Sequence, residues 1–239
     1  MKFEDWEPLY LEIIEEFGYS KQEDEKAARL LNDLLSDKEI YPWELLRNLL
    51  LKGATVCGNA PVLEEELEYT DLTGLVIAAD GATSSLMHKA NRIPDIIVTD
   101  LDGDISDQLK ANAQGAIIII HAHGDNIEAL RHYVPLFPGR LMGTTQVKPF
   151  GHLHNFGGFT DGDRAIIMAR HVGAPVRVIG FDINEPRPKA GRDAEVKRKK
   201  LLWAQRIISH DEPELHSAPL LNNDIISASD DGSKPLISD

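Results

Sequence analysis

From Gly53 onward the sequence repeats one rhythm: a short apolar run gives way to a few small or polar residues, then to a stretch of helical periodicity. The apolar runs occupy residues 54–57, 75–79, 95–99, 116–120, 140–146 and 176–180. Strands that alternate with helices are joined by crossovers, which place each strand parallel to the one before. The expected fold is therefore α/β, a mostly parallel open sheet with helices on both faces. In such sheets ligands bind beyond the carboxyl ends of the strands. Here those ends are small, polar or acidic: Gly58-Asn59-Ala60-Pro61, Asp80-Gly81-Ala82-Thr83, His121-Ala-His123-Gly-Asp125-Asn126 and Gly180-Phe181-Asp182.

The first 52 residues read differently. Trp6, Leu9, Tyr10, Ile13, Ile14 and Phe17 recur at helical spacing before Gly18, a natural helix stop. Ser20 with Glu23 forms a capping-box pattern ahead of a second apolar stripe, Ala27, Leu30, Leu31, Leu34 and Leu35, and Pro42 opens a third helix that runs through Leu51. These stripes are core or interface without assigned chemistry, and they suit a homodimer. The expected organisation is a helical segment at 1–52, an α/β catalytic domain at 53–210, and a C-terminal tail at 211–239 rich in Asp, Ser and Asn.

Composition narrows the function classes. A formal net charge of −14 argues against a nucleic-acid or anionic-membrane surface, although a divalent cation can still bridge carboxylates to a phosphate-bearing substrate. The single cysteine, Cys57, excludes an intramolecular disulfide and any multi-cysteine zinc site. Met1 to Glu7 is polar and acidic, so no secretory signal is expected, and no apolar run approaches a membrane span. The expectation is a soluble cytoplasmic protein.

Chemistry concentrates at residues 94–104, Pro-Asp-Ile-Ile-Val-Thr-Asp-Leu-Asp-Gly-Asp, where Asp100, Asp102 and Asp104 follow a buried strand. Crowded carboxylates are costly unless a cation neutralises them, and oxygen ligands around the Gly103 turn suit Mg²⁺ or Mn²⁺. Asp125 and Asn126 sit at the start of a helix over 127–133, where either can serve as an N-cap. The glycine-rich stretch 150–163 leads into a helix read from Arg164 to His171. Its backbone N–H groups can approach a ligand, and Phe156 and Phe159 can wall a pocket for a flat ring. A basic run, Lys189, Arg192, Lys197, Arg198, Lys199 and Lys200, is either a phosphate clamp or a solvated face. Three enzymatic readings compete on these residues. One is metal-dependent transfer from a nucleoside triphosphate without a Walker A loop. Another is a nucleotide-sugar glycosyltransferase using Asp100-x-Asp102, and the third is a binuclear metallohydrolase built on His121, His123 and Asp125. A nucleotide-binding regulatory domain is the non-enzymatic alternative.

The order of the motifs carries a resemblance. Ala79-Asp80-Gly81-Ala82, Pro94-Asp95 through Asp100-Leu-Asp102, Gly124-Asp125-Asn126, and Gly157-Gly158-Phe-Thr-Asp161 follow the running order of thiamin diphosphokinases. Thr99 replaces a glycine of that pattern, Asn126 replaces an aspartate, and the arginine and histidine of its last loop are missing. The His-Ala-His-Gly-Asp-Asn segment, Asn155 to Asp163, and Gly180-Phe181-Asp182 look more like the archaeal 6-hydroxymethyl-7,8-dihydropterin diphosphokinases, the MptE-like family. The similarity runs from about Gly53 to Ile208. It implies transfer of the diphosphoryl group of ATP to the hydroxymethyl oxygen of a reduced pterin, with release of AMP, in tetrahydromethanopterin or folate biosynthesis. It further implies Asp100, Asp102 and Asp125 as catalytic Mg²⁺ or Mn²⁺ ligands. Gly58, Asn59, Asp80, Gly81, Asn126, Lys197 and Arg198 would face the nucleotide. Gly158, Phe159, Thr160, Asp161 and Asp163 would face the pterin-like acceptor. Thiamin is the alternative acceptor.

Overall fold

The computed structural model describes residues 1–182 and 193–211. Seven strands are formed: β1 Ala54–Cys57, β2 Leu75–Ala79, β3 Ile96–Thr99, β4 Ile117–Ala122, β5 Leu141–Thr145, β6 Leu153–His154 and β7 Val176–Ile179. Their order is β6-β5-β4-β3-β2-β1-β7 and every neighbouring pair is parallel. Six of them fall on the apolar runs. β6 was not anticipated, because two residues inside a glycine-rich stretch carry no periodic signal.

Burial on both faces explains the continuous apolar runs. Ile97, Ile118 and Ile120 point into one cluster with Trp6, Leu9 and Ile13 of α1 (Phe3–Phe17) and with Ala27, Leu31 and Leu35 of α2 (Lys21–Leu35). Ile96, Val98, Ile117 and Ile119 point the other way, against α3 (Trp43–Leu50) and α8 (Asp161–Arg170). The crossovers are completed by α4 (Leu63–Glu66), α5 (Ala82–Lys89), α6 (Ile105–Ala113) and α7 (Ile127–Tyr133), and α9 (Ala194–His210) packs on α8. Most of the tail, residues 212–239, lies outside the described residues, as do Lys189 and Arg192 of the basic run. No helix among the described residues is long and apolar enough to cross a membrane.

The N-terminal helices begin and end as their residues dictate. Gly18 closes α1 in the left-handed region at φ 68°, and its N–H donates to the Ile14 carbonyl. The Ser20 hydroxyl accepts from the Glu23 N–H at 3.4 Å to open α2. Residues 1–52 are nevertheless no separate unit. Trp6 is fully buried, shares the core with the sheet, and donates its indole N–H to the Gln146 carbonyl beyond β5 at 2.8 Å. Trp6→Ala removes that volume from the shared core and should lower unfolding free energy by about 3–5 kcal/mol. Urea denaturation is the measurement, and a loss well under 1 kcal/mol would mean that α1 does not share the sheet's core.

Candidate active site

The site is built where β2, β3 and β4 end. Asp80 leaves β2 with φ 41°, and Leu101 leaves β3 with φ 67°, so both chains turn sharply at the sheet edge. Thr99 joins the two turns. Its buried hydroxyl donates to Asp80 Oδ1 at 2.8 Å and accepts from the Leu101 N–H at 2.8 Å. Thr99 thus supplies a clamp that a glycine at this position would lack. Asp80 Oδ1 also accepts from the Gly103 N–H at 3.1 Å and from Gln108 Nε2 at 2.9 Å. Gly103 is required for this approach, since a Cβ there would lie 2.6 Å from both Asp80 oxygens.

Asp80, Asp100 and Asp102 present carboxylate oxygens that all lie within 4.8 Å of one another. Asp125 is not part of that grouping: it is exposed, on the rim of the same pocket. Asp80, expected as a nucleotide contact, takes the third place instead. Asp104 turns away from the cluster and caps α6, accepting from the Asp107 N–H at 3.1 Å. The competing metallohydrolase reading gains no support, since His121, His123 and Asp125 are not a grouping of the kind formed by the three aspartates among the described residues.

The two histidines have distinct roles. His123 Nδ1 accepts from the Asp125 N–H at 3.2 Å, which leaves the ring proton on Nε2, 3.3 Å from Asp100 Oδ2. His121 is fully buried with Nδ1 3.1 Å from the Thr144 hydroxyl, and burial, Arg164 and His123 together keep its pKa well below the ordinary value. Burial raises the pKa of Asp100, but hydrogen bonding to His123 and Asp102, with attraction from His123 and Arg164, holds it below the usual carboxylate range. Asn126 accounts for its own presence where an aspartate was the related pattern. Its amide donates to the Asp100 carbonyl at 2.9 Å and the His121 carbonyl at 2.7 Å, two bonds that a carboxylate cannot make. It is buried between strand ends, where its amide joins β3 to β4.

The glycine-rich loop serves α8. Asp163 is fully buried, and its two oxygens accept from the Phe159 N–H at 2.7 Å, the Thr160 N–H at 2.6 Å and the Thr160 hydroxyl at 2.6 Å. Asp163 and Thr160 therefore form the cap of α8. Gly158 packs against Arg164, whose Cα would lie 2.6 Å from a Cβ there. Arg164 pairs with Asp161 at 2.9 Å and donates to the Phe159 carbonyl at 3.0 Å. Burial, with Asp100, Asp80 and Asp102 nearby, pushes Asp161 well above the usual carboxylate pKa despite Arg164.

A pocket of about 240 Å³ opens beside Asp100, between the strand ends, the α1–α2 junction and α9. Phe159 lines it and forms an aromatic corner with Phe17 and Tyr19, at ring-centre distances of 5.3 and 6.4 Å. Phe156 does not join this wall but packs against Trp43 at 4.8 Å on the opposite face of the sheet. The cation reaching the pocket from α9 is Lys200; Lys197 and Arg198 are not among its lining residues. Gly58, Asn59 and Gly81 sit at the ends of β1 and β2, outside that lining; a Cβ on Gly81 would meet the Asn59 amide at 2.2 Å.

One further feature marks this place as a site. Among the described residues the buried side-chain polar atoms lacking a partner belong to Thr83, Asp100, Gln108, His121 and Arg164. Asp100 belongs to the carboxylate trio, Gln108 is bonded to Asp80, and Thr83 follows Asp80 in the first turn of α5. Arg164 acts on both Asp100 and His121. Unsatisfied buried groups are uncommon, and their gathering at one sheet edge points to something bound there.

The profile of the MptE-like 6-hydroxymethylpterin diphosphokinases matches residues 30–187. Three proteins named 6-hydroxymethyl-7,8-dihydropterin pyrophosphokinase are similar over most of their length. The one from Pyrococcus furiosus is 42% identical over 219 residues, covering 87% of this chain and 93% of its own. That from Methanothermobacter thermautotrophicus is 40% identical over 221 residues, covering 87% and 94%. The Methanocaldococcus jannaschii protein is 34% identical over 232 residues, covering 88% and 95%. The chain belongs to the MptE-like family. As an MptE-like protein it is an enzyme of the diphosphotransferase class.

Several residues that shape this MptE-like site were silent in the sequence. Arg164 read as the first residue of an ordinary helix, and Asp24 was not singled out at all. Asp24 is buried and accepts from the Gly124 N–H at 2.7 Å, Tyr10 Oη at 2.7 Å and Gln146 Nε2 at 2.8 Å, forming the floor of the pocket. No local pattern distinguishes such a hub, because its partners are remote in sequence. For the enzyme, Gly103→Ala should displace the Asp80 carboxylate and reduce turnover by about a hundredfold, with little change in melting temperature. Full activity in this variant would show that Asp80 is not held at the reacting centre.

Proposed function

We propose that this enzyme transfers the diphosphoryl group of ATP to the hydroxymethyl oxygen of 6-hydroxymethyl-7,8-dihydropterin, releasing AMP, with Mg²⁺ or Mn²⁺ bound by Asp80, Asp100 and Asp102. The observation that carries the reading is the oxygen-only trio within 4.8 Å, whose member Asp100 keeps a buried Oδ1 without a partner among the described residues. That donor set fits a hard divalent cation. Bound there, the ion would neutralise phosphate oxygens as charge develops during transfer. The names of the relatives support the acceptor.

In this reaction the acceptor oxygen bonds to the β-phosphorus while the bond from that phosphorus to the α–β bridging oxygen breaks, and the hydroxyl proton is lost. Little covalent work falls to the protein, which has to align the two substrates and exclude competing water. His123, fixed by the Asp125 N–H, orients Asp100; Thr99, Gly103 and Gln108 orient Asp80. Asp125 faces the same pocket from the end of β4. The aromatic corner of Phe17, Tyr19 and Phe159 offers a flat apolar surface to a heterocycle. Of the two loop carboxylates considered for the pterin ring N–H groups, Asp161 is the one retained, because both oxygens of Asp163 are spent on the loop.

Asp100→Asn and Asp102→Asn should each reduce turnover by roughly a thousandfold while the fold is kept, as judged by circular dichroism. Wild-type rates in either variant would remove the carboxylate trio from the mechanism. Coupled mass spectrometry with ATP and the hydroxymethyl pterin should show AMP accumulating with the diphosphorylated product. Chelation should stop the reaction, and Mg²⁺ or Mn²⁺ should restore it. ADP as the product would mark an ordinary kinase, and turnover of thiamin instead of the pterin would move the protein to the sister family.

A further inference from the structure

The pocket has two lining cations, and they are in different states. Arg164 is committed to Asp161 and the Phe159 carbonyl. Lys200 forms no ion pair among the described residues; its Nζ lies 5.4 Å from the ring centres of both Tyr19 and Phe159. Such a lysine is held in place by ring faces, and its three N–H donors stay available to an anion.

Its helix is anchored for this purpose. On α9, Trp203 donates to Glu16 at 2.7 Å and Arg206 pairs with Glu12 at 2.7 Å, both on α1, whose C-terminal end carries Phe17 and leads into Tyr19. The same pair of helices therefore supplies the ammonium and a ring beneath it. Four carboxylates, Glu23, Asp24, Asp100 and Asp125, line the same space. A phosphate chain entering past these groups is repelled unless a cation meets it, and a lysine ammonium is a compact point charge suited to phosphate.

Resting on the diphosphotransferase reading above, we infer that Lys200, braced on Tyr19 and Phe159, is the side chain that grips the phosphate chain of the donor nucleotide and so sets donor affinity. It is a positioning residue for the donor, and Lys197 and Arg198, one turn or less away, do not share the task.

The test is the full-length enzyme carrying Lys200→Met or Lys200→Arg, with Mg²⁺ present. Lys200→Met should raise KM for ATP by roughly tenfold to a hundredfold, leaving KM for the pterin close to wild type. Lys200→Arg, which keeps the charge, should recover most of the donor affinity. Binding of a non-hydrolysable ATP analogue, read by calorimetry, should weaken in parallel in Lys200→Met, whereas binding of adenosine, which has no phosphates, should not change. An unchanged ATP affinity, or equal losses for ATP analogue and adenosine, would overturn the inference, since the second result means only a damaged wall. If Lys200→Met fails to fold, Lys200→Gln takes its place in the same comparison. The binding arm needs no pterin turnover, so a wrong acceptor would show as absent turnover beside an intact Lys200 effect.

Discussion

Asp80, Asp100 and Asp102 repel one another across less than 4.8 Å, and much of the surrounding structure exists to hold them there. At an effective dielectric of about 20, two unit charges 4 Å apart differ from separated ones by roughly 4 kcal/mol. The fold offsets this with two devices. Asp80 is held by neutral donors, Thr99, the Gly103 N–H and Gln108, which stabilise the anion without adding a permanent positive charge. Asp100 is held by His123 and by the field of Arg164. Asp161 shows what happens without enough compensation, since burial and the same neighbours drive it toward its neutral form. A site left short of positive charge in this way is suited to receiving a cation.

The N-terminal helices belong to this arrangement, although their sequence shows only apolar stripes. Asp24 on α2 joins α1 through Tyr10, the end of β4 through Gly124, and the end of β5 through Gln146. Burial and the adjacent Asp24 carboxylate push the Tyr10 phenol upward, so it stays a donor. The helix–helix corner is thereby fixed against the strand ends, and Phe17 and Tyr19 are delivered to the pocket with it. Apolar burial sets where these helices lie, and one buried carboxylate sets their register against the site.

What could be read in the sequence divides along physical lines. Six strands were legible because burial on both faces forces a continuous apolar run, a local signal independent of partners. The acidic turn at 100–102 was legible because crowding is visible in the chain itself. Membership of the cluster was not: alternation suggested Asp104, but the left-handed turn at Leu101 ends the strand geometry, and Asp104 becomes a cap. Asp80 enters from a neighbouring strand, and parallel strand ends lie side by side only once the order of the sheet is known. Thr99 and Asn126 looked like departures from a related pattern. Each proves to make bonds between strand ends that the residue it replaces cannot make.

The glycine-rich loop carries the same lesson furthest. Adjacent glycines ahead of a helix suggest a backbone cradle for phosphate, yet here three of the amides are already taken. Asn155 accepts from the Gly157 N–H at 2.8 Å, and Asp163 accepts from those of Phe159 and Thr160. Gly157 and Gly158 instead adopt φ values of 85° and 98°, which side-chain-bearing residues avoid, so that the loop can fold back onto the first turn of α8. That close approach brings the Phe159 carbonyl to Arg164 and turns the Phe159 ring toward the pocket. Gly158 is thus explained by an arginine six residues later, whose backbone it lets approach, whereas Gly157 packs against Met1. The N–H groups of Gly157, Phe159 and Thr160 are thus spent inside the loop and are not offered to an anion in the pocket.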